Sequence, residues 1–410
     1  MPDAYPRLRG EIDAAPALRD GETYYILYDR AGVAPSRLLV SPMGLLIAGL
    51  LDGASSVLDI SDTLNREYGG GAACREVEKI IAALDESLFL DGSRFQDFQA
   101  QAARDFRAAS VRRPGSAGSA YDSDPEALRA ELDRMLAEAP PPEEKAAPGA
   151  AFPRGVVAPH LDYMRGAAGY GQVYRHLAAL PPPRTVVVIG TAHVPLHERI
   201  SLCEKDFETP LGTVSVNRYL AGRIRRALAP CADVDRDVLA HRGEHSIELQ
   251  AVWLRHVYGD SVAIVPLLAA SVGEFLDGDR EPAEAPGDPA FHRLADCLAE
   301  AVGEGGVMIM ASADLAHVGP RFGDSAEVSH SFLAEVEEVD REYLEALAAG
   351  PVAGLESLAA HGDRHHVCGS ACIFALGLAL PGARPRLLGY HQAVTPEMRQ
   401  AVSYAAMVVD

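Results

Sequence analysis

Basic charge is scarce in this chain: 37 lysines and arginines stand against 58 aspartates and glutamates, for a formal net charge of −21. That balance argues against nucleic acid or an anionic membrane as the main partner, because both reward basic patches. Long apolar runs are missing as well. No stretch approaches the roughly 20 residues that span a bilayer, and the start, Met1-Pro2-Asp3-Ala4-Tyr5-Pro6-Arg7, has neither the basic nor the apolar region of a signal peptide. A cytoplasmic protein is the expectation. Cysteine is sparse: Cys74, Cys203, Cys231, Cys297, Cys368 and Cys372 are scattered through 410 residues and make no disulfide framework. Cys368 and Cys372 are four apart, yet no second Cys or His pair completes a structural zinc site. What the chain does have is apolar mass for a large core, 48% of its residues, and a length suited to about two or three domains.

Three apolar runs each stop on a histidine or an aspartate. Val156-Val157-Ala158 leads into Pro159-His160, Val186 to Ile189 into Gly190-Thr191-Ala192-His193, and Val307 to Met310 into Ser312-Ala313-Asp314-Leu315-Ala316-His317. Such continuous runs read as strands covered on both faces. Ligands of open α/β sheets bind at the carboxyl ends of strands. Imidazole and carboxylate arriving there together point to a metal site or acid/base chemistry. One turn histidine is ordinarily satisfied by backbone; three strand ends of the same polarity are hard to assign to packing. Two parallel strands place His160 and His193 side by side if those strands are adjacent.

Composition divides the chain. Thr23 to Tyr28 reads as a strand, Met43 to Leu51 as an apolar helix ended by Asp52-Gly53, and Val57 to Tyr68 and Cys74 to Leu88 as two further helices. Arg104 to Tyr121 reads as a linker, and Ala139 to Phe152, with its Pro-Pro-Pro, as a second loop. Between them Ser123-Asp124-Pro125-Glu126 caps a helix running to about Ala137. From Val156 to Val409 apolar strands alternate with amphipathic helices, the α/β signature.

Two further motifs carry chemistry. His241-Arg242-Gly243-Glu244-His245 fits the inverted zinc-peptidase spacing, which needs both histidines on one helical turn. Gly243 between them and the first-turn look of Glu244 argue against it, which leaves two readings: Glu244 and Glu248 answer the helix dipole while His245 makes a supporting hydrogen bond, or the motif lines a pocket. Cys368 lies just before the apolar helix through Ile373, Phe374 and Leu376. A helix N-terminus should lower its pKa and suit it as metal ligand or nucleophile; the alternative is a small buried hydrophobe.

These residues carry a resemblance. Ala117-Gly118-Ser119-Ala120-Tyr121, Ala158-Pro159-His160, Gly190 to Leu196, Thr209-Pro210-Leu211-Gly212, Glu244-His245-Ser246-Ile247-Glu248, Ser312 to His317, Cys368-Gly369 and Ser403-Tyr404-Ala405-Ala406 resemble the Memo family, which includes the bacterial AmmeMemoRadiSam system protein B. The resemblance implies a fold similar to the class III, LigB-type extradiol dioxygenases, an α/β sheet with helices on both faces. Those enzymes hold non-haem Fe(II) with two histidines and a glutamate; in the Memo pattern cysteine replaces the glutamate. It therefore implies His160, His193 and Cys368 as metal-facing residues, Asp314 and His317 as catalytic residues lining the same pocket, and His245, Glu244 and Tyr163 as pocket or supporting residues. Two imidazoles and a thiolate favour Fe(II), Cu(I) or Zn over Mg or Ca, and the fold resemblance favours iron. Ala120, Leu161-Asp162-Tyr163 and Gly190-Thr191 depart from the family pattern near the presumed pocket mouth and put the substrate in doubt.

The first hundred residues resemble a small winged-helix module of the PqqD-like kind, which holds leader peptides. The expected division is residues 1–102 as that module, 103–122 as linker and start of the Memo region, and 123–410 as the Memo domain. The function implied is a non-haem iron redox protein acting on a small molecule or peptide, with a radical-SAM protein and an Amme-type protein as partners. A metal- or peptide-binding adaptor without turnover and a zinc-dependent hydrolase are the rivals.

Overall fold

The computed structural model describes residues 4–19, 21–29, 33–34, 36–68, 74–141, 151–272, 287–361 and 365–410. Part of the second expected loop, residues 142–150, lies outside them. The chain forms two compact units, Met1–Ala108 and Ala109–Asp410. Among the described residues no helix is long and apolar enough to cross a membrane.

The first unit is an antiparallel meander, β1 (Ile12–Arg19), β2 (Glu22–Asp29) and β3 (Arg37–Val40), followed by α1 (Pro42–Gly49), α2 (Val57–Tyr68), α3 (Cys74–Glu86) and α4 (Ser93–Ala108). Ile47, Ile60, Leu64, Val77, Ile81, Leu84 and Phe89 close its core. Ser41 caps α1 by accepting from Gly44 N–H at 3.2 Å. Helix α4 runs through Arg104–Ala108, residues that composition assigns to a linker.

The second unit opens with β4 (Val111–Arg112) and α5 (Pro125–Glu138), whose N-cap Asp124 accepts from Glu126 and Ala127. Then come β5 (Gly155–Ala158), α6 (Tyr163–Ala178), β6 (Thr185–Thr191), β7 (Ile200–Leu202), β8 (Asp206–Thr209), β9 (Gly212–Val214) and α7 (Arg218–Leu228). A 3₁₀ turn, Val238–Arg242, precedes α8 (His245–Tyr258), followed by β10 (Ala263–Ala269), α9 (Pro289–Gly303), β11 (Val307–Ser312) and β12 (His317–Val318). The chain ends with α10 (His330–Ala346), α11 (Pro351–Ala360), α12 (Ser370–Ala379), β13 (Pro385–Thr395) and β14 (Gln400–Val409).

Strands β5, β11, β6 and β10 lie parallel in that order; β14 joins β5 and β7 joins β10, both antiparallel. Val186 to Ile189 have no exposed surface, as expected of a strand covered on both faces. Helices α5, α6 and α8 pack together as one group, and α7, α9, α12, α11 and α10 form a second chain of contacts. The arrangement is an α/β sheet flanked by helices. Strand β11 lies between β5 and β6, so the strands bearing His160 and His193 are not neighbours; the two rings nonetheless stand 5.0 Å apart, centre to centre.

Candidate metal centre

A buried polar lattice fixes the three strand ends before any functional side chain is considered. From α8, Gln250 donates to Pro159 O at 2.7 Å and to Ser312 Oγ at 2.8 Å. Ser246 Oγ donates to Thr191 O at 2.9 Å, and Ser312 Oγ donates to Ser246 O at 2.6 Å. One helix thus grips the ends of β5, β6 and β11. Its close approach to β6 requires Gly190, where an added Cβ would fall 2.5 Å from Ser246 Oγ. Beneath it Trp253 stacks on Tyr174 at 4.7 Å between ring centres and on Tyr170 at 6.0 Å.

On this frame the ligating atoms of His160, His193 and Cys368 lie within 4.8 Å of one another. His160 Nδ1 donates to Ser312 O at 2.9 Å, which leaves Nε2 as the acceptor, 3.3 Å from Cys368 Sγ. His193 is bracketed by Glu244, whose carboxylate takes its backbone N–H at 2.9 Å and its Nδ1 at 3.0 Å, again freeing Nε2. Both imidazoles are held through the nitrogen a metal does not need. Cys368 is held by its neighbour: Gly369 N–H donates to Asp314 O at 3.1 Å. Only glycine fits there, since a Cβ would fall 2.4 Å from Ala313 Cβ. Asp314 Oδ1 accepts from His160 N–H at 2.9 Å, so this one residue ties β11, His160 and Cys368 together.

Burial and neighbouring charge move the three candidate ligands in different directions. Burial, helped by His193, pushes His160 down to about 3, so the ring is neutral. Burial opposes the charge on His193, but the Glu244 carboxylate outweighs it and the pKa rises. Burial and the nearby Asp314 raise the Cys368 thiol well above its ordinary range, which corrects the expectation that the following helix would lower it. A metal ion must displace that proton to gain the thiolate. Burial raises Asp314 and pushes His317 down to about 4, so His317 is a weaker base here than an unperturbed imidazole.

The other expected residues sort clearly. His245 stacks on His193 at 4.6 Å and lies 5.7 Å from His160 between ring centres, which puts it beside both candidate ligands; burial lowers it to about 4. Glu244 is the N-cap of α8 rather than a first-turn acid, its side chain accepting from Ser246 N–H at 2.9 Å. Glu244 also belongs to a second geometric trio with His193 and His245. Its oxygens are already committed to His193 and Ser246, so that trio is a poor cation site. His241 sits in the 3₁₀ turn, 1% exposed, outside both trios, which leaves the inverted peptidase spacing without its geometry. Tyr163 is a core residue, fully buried, donating to Leu249 O at 2.7 Å. His317 Nδ1 donates to Leu315 O at 3.1 Å, and the ring feels the charges of Asp314 and His160.

Sequence reasoning missed Arg112 and misjudged Glu248. The two form a fully buried ion pair. Glu248 also takes N–H groups from Gly115 and Ser116 at 2.9 Å and the Tyr121 hydroxyl at 2.5 Å. A glutamate four residues into an otherwise buried helix stretch was the available signal that a buried cation must be near.

A family model described as Memo-like protein matches residues 112–408. A MEMO1 family protein of Aquifex aeolicus is 26% identical over 79% of this chain and 78% of its own length, and one of Methanopyrus kandleri is 31% identical over 72% and 98%. A MEMO1 family protein of Methanosarcina acetivorans is 30% identical over 73% of this chain and 99% of its own.

Proposed function

The chain belongs to the Memo-like protein family, and on that premise we propose that it is a non-haem metal-dependent redox protein holding Fe(II) on His160, His193 and Cys368. The observation that carries this reading is the freed Nε2 of His160 at 3.3 Å from Cys368 Sγ, with His193 completing a trio within 4.8 Å. Three protein ligands leave coordination positions open, as in catalytic rather than structural sites. Fe(II) bound there would supply one-electron chemistry, with the open positions available to a small molecule or peptide and to dioxygen.

The chain's own residues do the remaining work. Ser312 O and Glu244 keep the two imidazoles in the ligating tautomer; His245 walls the pocket beside His193. Asp314 and His317 are the groups we assign to moving protons, and the site's burial on the His160 side excludes water. The first unit would dock a peptide, for which β1 and β3 offer strand edges paired on one side only. A radical-SAM protein and an Amme-type protein are the proposed partners, in a cytoplasmic setting.

A zinc-dependent hydrolase is the second reading, favoured by the same three-ligand N₂S set. Elemental analysis of protein purified without oxygen, beside His193→Ala and Cys368→Ala, separates the two. Near-stoichiometric iron lost in both variants supports the redox reading; zinc in its place supports the hydrolase, and no metal in any sample removes both.

A further inference from the structure

We propose that Arg112 is a positioning residue for the metal centre, acting on His193 through Glu244; this rests on the metal reading above. The guanidinium has no exposed surface and makes three directed contacts with one short stretch of chain. Its Nε donates to His241 O at 3.0 Å, Nη2 donates to Glu244 O at 2.7 Å, and Nη1 pairs with Glu248. It therefore holds both sides of the junction between the 3₁₀ turn and α8. That junction contains Gly243, which supplies no side chain to stiffen it. Glu244 is thereby held at both ends, its carbonyl by Arg112 and its carboxylate by the N–H of Ser246 and by His193.

Charge alone does not explain the choice of arginine. The ion pair with Glu248 would be met by any buried cation, whereas reaching two backbone carbonyls and a carboxylate at once uses the planar fork. Losing the fork leaves the carbonyls of His241 and Glu244 buried without this donor, and the peptide carrying Glu244 free to tilt. The Nε2 of His193 would then swing away from His160 and Cys368, whose own supports, Ser312 and Asp314, do not involve Arg112. Arg112 stands only a few residues after the first unit ends at Ala108, in a strand that pairs with β8.

The test is anaerobic titration with Co(II) alone, read by thiolate-to-metal absorption, in wild type, Arg112→Lys, Glu244→Gln and the Glu244→Gln/Arg112→Lys double variant. Arg112→Lys keeps the charge opposite Glu248 and should weaken Co(II) binding by about 10- to 100-fold while the thiolate band persists. In the Glu244→Gln background, where binding is still measurable, the same change should cost much less, because the link to His193 that Arg112 supports is already broken. An equal loss in both backgrounds would reduce Arg112 to a general structural role and overturn the proposal, as would wild-type affinity in Arg112→Lys. If Arg112→Lys does not fold, Arg112→Met/Glu248→Gln removes both charges and takes its place in the cycle; failure of both to fold assigns Arg112 to the fold alone and also overturns it. A wild type that binds no Co(II) sinks the metal reading itself, and this inference with it.

Discussion

His160 and His193 each bring a ring nitrogen within 4.8 Å of the Cys368 thiol, yet the walls that carry them differ. The His160 side is made of strand ends and a helix start: β5, β11 and α12 converge, and the histidine side chain is 2% exposed. The His193 side is a loop clamped to the junction before α8, and His193 and His245 side chains are each 36% exposed. Both walls hold their histidine by hydrogen bonds, but the His160 ring is shut away from solvent and the His193 ring is partly open to it. The exposed surface of the candidate site is on the His193 side.

Gly369→Ala attacks the packed wall where it has least room. The new Cβ would meet Ala313 Cβ at 2.4 Å and Asp314 O at 2.5 Å, so we expect destabilisation of about 3 kcal/mol or more together with loss of bound metal. Denaturant melts and metal analysis check it; a stable, metal-replete variant would mean that this wall is softer than its geometry implies.

Asp340→Asn probes the brace behind that wall. Ser403 accepts Ala316 N–H at 2.9 Å with its Oγ and donates to Asp340, which also takes the Tyr390 hydroxyl at 2.8 Å. Burial raises the Asp340 carboxyl to about 6, and its Oδ1 has no hydrogen-bond partner. The folded protein therefore holds this proton more tightly than the unfolded chain. Its contribution is fully present below about pH 4 and fades as pH climbs through 6, a swing of roughly 2–3 kcal/mol. Stability of wild type minus variant should fall across that window, and a flat difference would refute the shift.

On the open wall, Glu244→Gln should be milder. It keeps an acceptor for the helix cap but loses the charge beside His193, for about 1 kcal/mol of stability and about tenfold in metal affinity. Calorimetry with and without Co(II) would separate the two effects. The smallest effect is one of order: in metal-free protein, diethyl pyrocarbonate should modify His193 and His245 before His160, as read by peptide mass spectrometry. Equal rates would erase the contrast between the walls.

The contrast was only half legible in the sequence. Strands β5, β6 and β11 announce themselves as unbroken apolar runs, and each ends on its candidate residue, so His160, His193 and Asp314 could be placed from the sequence. The helix capped at Asp124 was equally plain. Strand β1 was not, because Pro16 and three alanines carry weak strand character; an edge position tolerates such a proline. The insertion of β11 between β5 and β6 leaves no local trace, since strand order is set by packing across the sheet. Arg112 was hidden for the same reason: a two-residue strand has no periodicity, and its partners lie about 130 positions away. The Cys368 thiol was misjudged because the sequence shows the helix that follows but not the buried pocket and carboxylate around it.

X-ray absorption at the metal edge of anaerobically Fe(II)-loaded protein tests the central claim most directly. The account predicts one sulfur scatterer at about 2.3 Å with nitrogen or oxygen neighbours near 2.1 Å, the sulfur vanishing in Cys368→Ser. A shell of nitrogen and oxygen alone in the wild type, or no Fe(II) retained, would contradict it.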